Sequence, residues 1–202
     1  MRPTVFVLFG ATGDLARRMV LPAFYSLATK GLLPDQWRLV GNGRGHMSDD
    51  GFRKEMHQAL EDAGISPSDD EWKDFAKHLR FAGAGFTEQD PGEMIDVLRD
   101  LRHDIGVSFH VVHYFAIPPG AFEEKTRAID AHGLTHNAKV IYEKPFGTPS
   151  DEFEMLDSMV RRVFDATQIV RIDQVLGEDA VLESTWNRFG RVVQIACSQI
   201  PG

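Results

Sequence analysis

Short, densely apolar runs alternate with longer amphipathic stretches along the whole chain. Thr4–Phe9 (TVFVLF) is a continuous β-prone run, as expected of a parallel strand covered on both faces. A helical stretch follows from about Asp14 to Lys30, stopped by Gly31 and Pro34, with Pro22 predicted to kink it because proline lacks an N–H and crowds the preceding turn. Trp37–Gly41 (WRLVG) reads as a second strand. Ser48 is placed to cap a helix through about Ala63 that Gly64 ends. Ser66-Pro67 is predicted to open the next helix, with Asp69, Asp70 and Glu71 in its first turn, where the dipole favours negative charge. Then come a strand at Arg80–Ala82, a helix near Pro91–Arg102 and a strand at Phe109–Ile117 (FHVVHYFAI) broken by Pro118-Pro119-Gly120. A helix near Ala121–Ala131, a strand at Lys139–Tyr142, a helix at Ser150–Phe164 and a strand at Ile169–Ile172 complete the alternation. Strands and helices in strict succession imply an α/β fold, a doubly wound parallel sheet with helices on both faces. The last residues differ: Leu176–Asn187 holds a short helical stretch, and Arg191–Ile200 (RVVQIACSQI) reads as a strand that must pair with something, a homodimer mate or another chain.

Composition narrows the class. A length of 202 residues suits one domain with a small appendage, and 43% hydrophobic against 26% charged residues argues against disorder. The formal net charge of −8 argues against a nucleic-acid binder, whose affinity comes from dense Lys and Arg. Cys197, the single cysteine, excludes an intramolecular disulfide and a cysteine-cluster metal site, so no metal is expected. No apolar run reaches the roughly 18 residues of a spanning helix, and Thr4–Phe9 is too short for a signal-peptide core. A soluble, cytoplasmic protein without membrane contact is the expectation.

The sharpest local pattern is Gly10-Ala11-Thr12-Gly13-Asp14-Leu15-Ala16, directly after the first strand and opening the first helix. Glycines there let the backbone turn tightly and approach a pyrophosphate, which then rests on the free N–H groups of the helix start. The candidate cofactor-binding residues are therefore Gly10, Thr12, Gly13, Asp14 and Leu15. At the end of the second strand, dinucleotide sites that take NAD carry a carboxylate for the ribose hydroxyls, whereas those that take NADP offer an arginine to the extra phosphate. Here the segment is Gly41-Asn42-Gly43-Arg44-Gly45, with one arginine and no carboxylate, which favours NADP with Arg44 on the 2′-phosphate.

Together, Phe9–Arg18 (FGATGDLARR), Gly41–Arg44, Tyr114–Pro119 (YFAIPP), Glu143–Gly147 (EKPFG), Arg171–Asp173 with Leu176-Gly177, and Trp186–Arg188 resemble the coenzyme domain of the glucose-6-phosphate dehydrogenase family, in order and nearly end to end. The resemblance implies a Rossmann-type domain over residues 1–176, and 177–202 as a short remnant of an α+β substrate domain. It places NADP at the glycine loop and Arg44, with Ala116, Pro118 and Pro119 beside the nicotinamide half. It implies that Lys144, before a cis-prone Lys-Pro bond, reaches both cofactor and a sugar hydroxyl, and that Asp173 orients a catalytic histidine.

Departures from the family pattern qualify this. The family's RID triplet continues His-Tyr-Leu-Gly-Lys, its His, Tyr and Lys binding the sugar phosphate; here those positions are Gln174, Val175 and Glu178. Two donors give way to an amide and an apolar side chain, and a carboxylate replaces a cation, so a phosphosugar is expected to bind poorly while Gln174 still donates to a neutral hydroxyl. The family's catalytic base is a histidine of a large domain that this chain is expected to lack, with a cost of about 10²–10⁴ in rate.

Rival chemistries are weaker. His110 and His113 stand three apart on a predicted strand, face opposite ways and cannot share a metal. The Tyr-x-x-x-Lys of short-chain dehydrogenases is absent, since Tyr25, Tyr114 and Tyr142 are followed four residues on by Thr29, Pro118 and Phe146. The glucose–fructose oxidoreductase group shares Glu-Lys-Pro, but GDLA, FAIPP and the trailing Phe-Gly favour the first family. Three readings stand open: a dehydrogenase on an altered sugar or polyol, a catalytically silent NADP-binding module or assembly subunit, and a piece of a longer enzyme.

Overall fold

The computed structural model describes residues 2–144, 150–173 and 193; for 143, 144, 150–153, 156 and 171–173 it describes the backbone alone. Six strands, β1 (Thr4–Phe9), β2 (Trp37–Asn42), β3 (Leu79–Ala82), β4 (His110–Phe115), β5 (Ala138–Lys144) and β6 (Ile169–Asp173), form one parallel sheet in the order β3-β2-β1-β4-β5-β6. Among the described residues six α-helices lie between them: α1 (Leu21–Thr29), α2 (Asp49–Asp62), α3 (Asp69–Ala76), α4 (Met94–Ile105), α5 (Phe122–Ala131) and α6 (Ser150–Val160). The expected doubly wound sheet is thus observed.

The unbroken apolar run of β1 has a simple cause: both faces of the strand are covered. Phe6 and Leu8 enter a core with α1, α2 and α3, where Phe24 meets Phe6 at 5.1 Å and Trp37 at 5.4 Å, edge to face. Val5, Val7 and Phe9 enter the opposite core with α4, α5 and α6, where Phe9 lies 5.5 Å from Phe86 and 5.6 Å from Phe115. Each aromatic ring sequestered in this way contributes about 2–3 kcal/mol from area burial.

Local chemistry sets the element ends. Pro22 lies inside a helical stretch that runs unbroken from Asp14 to Thr29, and the backbone answers the residue without an N–H by a π-helical turn, Ala16–Val20, directly before α1. Ser48 caps α2 by accepting from the Gly51 amide at 3.1 Å. α3 begins at Ser68, not at the expected Ser66-Pro67. The Ser68 hydroxyl accepts from Glu71 N–H, and the Glu71 carboxylate accepts from Ser68 N–H at 3.0 Å, a reciprocal cap for which Ser66 has no Glu or Gln three residues on. α4 starts later than Pro91, at Met94, and ends at Gly106 (φ 73°). α6 stops at Val160, short of Phe164, because the chain tightens into i→i−3 bonds from Arg162 and Val163.

The expected strand at Arg191–Ile200 needs correction at Val193, its one described residue. Val193 is helical and 1% exposed, packed in the chain's own core with Phe6, Leu8 and Phe24. A short apolar run does not by itself distinguish a buried helix from a strand. The remainder of that strand, Gln174, Val175, Glu178, the Leu176–Asn187 stretch, Trp186–Arg188 and Cys197 lie outside the described residues, as does the Lys144-Pro145 bond.

Among the described residues no helix is long and apolar enough to cross a membrane, and no group of three or more His, Cys, Asp or Glu is placed to hold a metal. His110 and His113 face opposite cores, as expected; the His113 Nε2–H donates to the Leu134 carbonyl at 2.9 Å and the His132 Nε2–H to the Thr87 carbonyl at 2.8 Å. These are packed side chains.

Candidate functional site

Strand order reverses between β1 and β4, and their loops part at the carboxyl edge of the sheet, the place where open α/β sheets form a crevice. Gly10 sits there with φ 80°, and a methyl group on it would lie 2.4 Å from the Ala116 carbonyl oxygen. Only glycine fits, so the β1 loop and the end of β4 touch backbone to backbone. Gly10 and Ala11 both donate to the Asn42 carbonyl at 3.1 Å, and Gly13 N–H turns back to the Gly10 carbonyl at 2.9 Å. The first helical bond runs from Arg17 N–H to the Gly13 carbonyl, which leaves Asp14, Leu15 and Ala16 in a first turn whose amides have no intrahelical acceptor. Thr12 and Asp14 are exposed beside those amides.

Charges sort themselves around this turn. Arg17 is engaged by Glu55 at 3.0 Å and Asp62 at 3.7 Å, and Arg18 by Asp14 at 3.5 Å. Arg44, on the loop after β2, is exposed and meets no carboxylate among the described residues. Its neighbour Gly43 abuts the glycine turn: a methyl there would lie 3.4 Å from Thr12 Oγ1. Arg44 and Thr12 therefore belong to one corner of the crevice. Asn42, the last residue of β2, is 3% exposed and turns its amide away from that corner, donating to the carbonyls of Ala82 at 2.8 Å and Gly85 at 3.1 Å.

The other expected site residues reach the same edge. Ala116 is buried and Pro118 exposed just past β4. Lys144 ends β5, two residues beyond Tyr142, the partner of Phe115, and Asp173 ends β6 as its register partner. The sheet thus gathers the glycine loop, Arg44, Ala116, Pro118, Lys144 and Asp173 along one edge. Sequence reasoning missed Asn42 and Glu93. The Glu93 carboxylate accepts from Gly83 N–H at 2.8 Å and pairs with His46 at 3.1 Å; the Gly83 amide, then His46, hold its carboxyl below the usual range. A polar residue closing the apolar run of β2 was a legible signal for Asn42. Glu93 offered none.

The reversal of strand order, the glycine-only contact and the free amides define a dinucleotide-binding domain of the doubly wound class. The glucose-6-phosphate dehydrogenase NAD-binding-domain profile matches residues 7–183, and the chain belongs to that family, which establishes the resemblance. It is 32% identical over 208 residues to glucose-6-phosphate 1-dehydrogenase of Chlamydia pneumoniae, covering 96% of this chain and 40% of the relative. To glucose-6-phosphate 1-dehydrogenase 2 of Mycobacterium tuberculosis (strain H37Rv) it is 33% identical over 186 residues, covering 89% of this chain and 36% of the relative. The Mycobacterium avium enzyme structure superposes with TM-score 0.70 at 26% identity, over 85% of this chain and 36% of that one. A glucose-6-phosphate dehydrogenase solved in complex with its substrate glucose-6-phosphate gives TM-score 0.74 at 25% identity, with the same coverages. The chain spans about two-fifths of the length of the curated relatives it matches.

Proposed function

We propose that this chain binds NADP in the crevice between β1 and β4 and serves hydride transfer from the C1 hydroxyl of a sugar or polyol. The observation that carries the cofactor reading is Arg44: an exposed guanidinium without an ionic partner among the described residues, following Gly43, which abuts Thr12, on a strand end that offers no carboxylate to a ribose. A guanidinium suits a phosphate through two parallel donors. The cradle fits the rest of the group, since Gly10 has no side chain to occupy the crevice and the amides of Asp14 and Leu15, in the first helical turn, are donors available to a pyrophosphate. Ala116 and Pro118 flank the nicotinamide half.

When bound, the coenzyme supplies a hydride acceptor. Lys144 holds the reacting hydroxyl by donating to its oxygen, and Asp173, its register partner, orients whichever group accepts the hydroxyl proton. Residues 1–176 form the nucleotide unit and 177–202 contribute to the substrate side, with Gln174 donating to a hydroxyl. The replacements at Gln174, Val175 and Glu178 support a substrate other than a phosphorylated sugar. The same three residues favour the second reading, a silent NADP-binding module.

Calorimetric titration with NADP and NAD, each with and without glucose 6-phosphate, tests this. R44A is expected to weaken NADP by about 10-fold or more and leave NAD nearly unchanged, the loss of one bidentate phosphate contact. Equal weakening of both coenzymes refutes the role of Arg44, and tight glucose 6-phosphate binding refutes an altered substrate site. Coenzyme reduction with an unphosphorylated sugar or polyol separates the enzyme from the silent module.

A further inference from the structure

We propose that Glu93 is a positioning residue that fixes the Arg44 turn and so sets the preference for a 2′-phosphorylated coenzyme; this rests on Arg44 binding that phosphate. Arg44 stands between two glycines, and such a turn has broad conformational freedom unless something outside it holds it. Two amides from the segment after β3 do so: Gly85 N–H donates to the Gly43 carbonyl at 2.9 Å, and Ala84 N–H to the Gly45 carbonyl at 3.2 Å. Both shoulders of Arg44 are pinned by main chain. The pinning segment is itself unusual, because Ala84 has φ 60° and Gly85 φ 76°. A non-glycine residue keeps that conformation only where its surroundings enforce it.

Glu93 enforces it. Its carboxylate accepts from Gly83 N–H at 2.8 Å, and its own N–H donates to the Gly83 carbonyl at 3.2 Å, so Gly83 is clamped from both sides immediately before Ala84. The second carboxylate oxygen pairs with His46 at 3.1 Å, two residues past Arg44. With one oxygen on Gly83 and the other on His46, the carboxylate steadies the turn without capturing Arg44. Asn42 closes the frame from below through the Ala82 and Gly85 carbonyls. If the turn is released, the binding-competent Arg44 arrangement becomes a fraction of the population, and affinity for the 2′-phosphate falls by that fraction while the rest of the coenzyme is unaffected.

Titration of the full chain with NADP and NAD reads this out. E93A is expected to raise the NADP dissociation constant about 10-fold and leave NAD within about 2-fold. E93Q, whose side-chain oxygen still accepts from Gly83, recovers most of the NADP affinity, and E93A added to R44A causes no further loss. Equal weakening of both coenzymes by E93A, or an undiminished loss in the R44A background, overturns the proposal. If R44A itself leaves the NADP-to-NAD ratio untouched, the reading of Arg44 fails and this one with it; a normal R44A result with an unchanged ratio in E93A sinks this one alone. Should E93A not fold, E93D keeps the charge but withdraws it from Gly83 and must shift the ratio the same way; an unchanged ratio there also overturns the proposal.

Discussion

Lys144 at the end of β5 is the register partner of Asp173 at the end of β6. These are the two positions to which the family resemblance gives catalytic roles, and they are separated in sequence by the whole of α6. Their adjacency follows from the parallel pairing of the two backbones alone.

At register-paired positions opposite charges are tolerated and like charges are not. K144E is therefore expected to destabilise the chain by about 0.5–1 kcal/mol more than K144Q, and D173N to abolish the difference. Urea denaturation at low salt measures it. Equal stabilities of K144E and K144Q, with D173 intact, contradict the register.

Asn42 ends β2 where a carboxylate would suggest NAD, yet its amide faces two carbonyls in the interior. N42D replaces that donor with an acceptor. The expectation is a loss of about 3 kcal/mol in stability without a gain of NAD affinity. A stable N42D that prefers NAD would show that the side chain turns into the crevice instead.

His113 lies fully buried among Phe9, Phe164 and the Leu134 carbonyl, and its Nδ1 has no partner among the described residues. Burial pushes its pKa down from 6.5 to about 4, so at intermediate pH the folded chain holds fewer protons than the unfolded one. Stability is then full above pH 6.5 and lost as pH falls toward 4, by about 3 kcal/mol from this group. His78 and His110 are shifted the same way by burial and add to the slope. H113N, which keeps a donor but does not titrate, is expected to flatten most of the pH 4–6.5 dependence in thermal melts; an unchanged slope refutes the assignment.

Much of the fold was legible because the signals are local. TVFVLF followed by the glycine turn announces a buried parallel strand and a helix start within a dozen residues, and Ser48 announces its helix one residue ahead. The misplaced ends have local competitors of nearly equal strength. Ser66 and Ser68 both precede acidic residues, and only Ser68 has Glu71 at the right distance for reciprocal capping. Pro22 announced an irregularity in the first helix, but its form, a π-helical turn just before the proline, is set by packing and not by the residue alone.

By itself the sequence determined the α/β alternation, the glycine turn and the arginine after β2, since backbone freedom, apolar burial and charge are properties of short segments. Only the tertiary structure decided that Gly10 must meet the Ala116 carbonyl, that Lys144 lies beside Asp173, and that Asn42 and Glu93 frame the turn bearing Arg44. Those relationships join residues far apart along the chain. Their geometry comes from strand order and from the need of buried amides and carbonyls for partners, neither of which a single segment specifies.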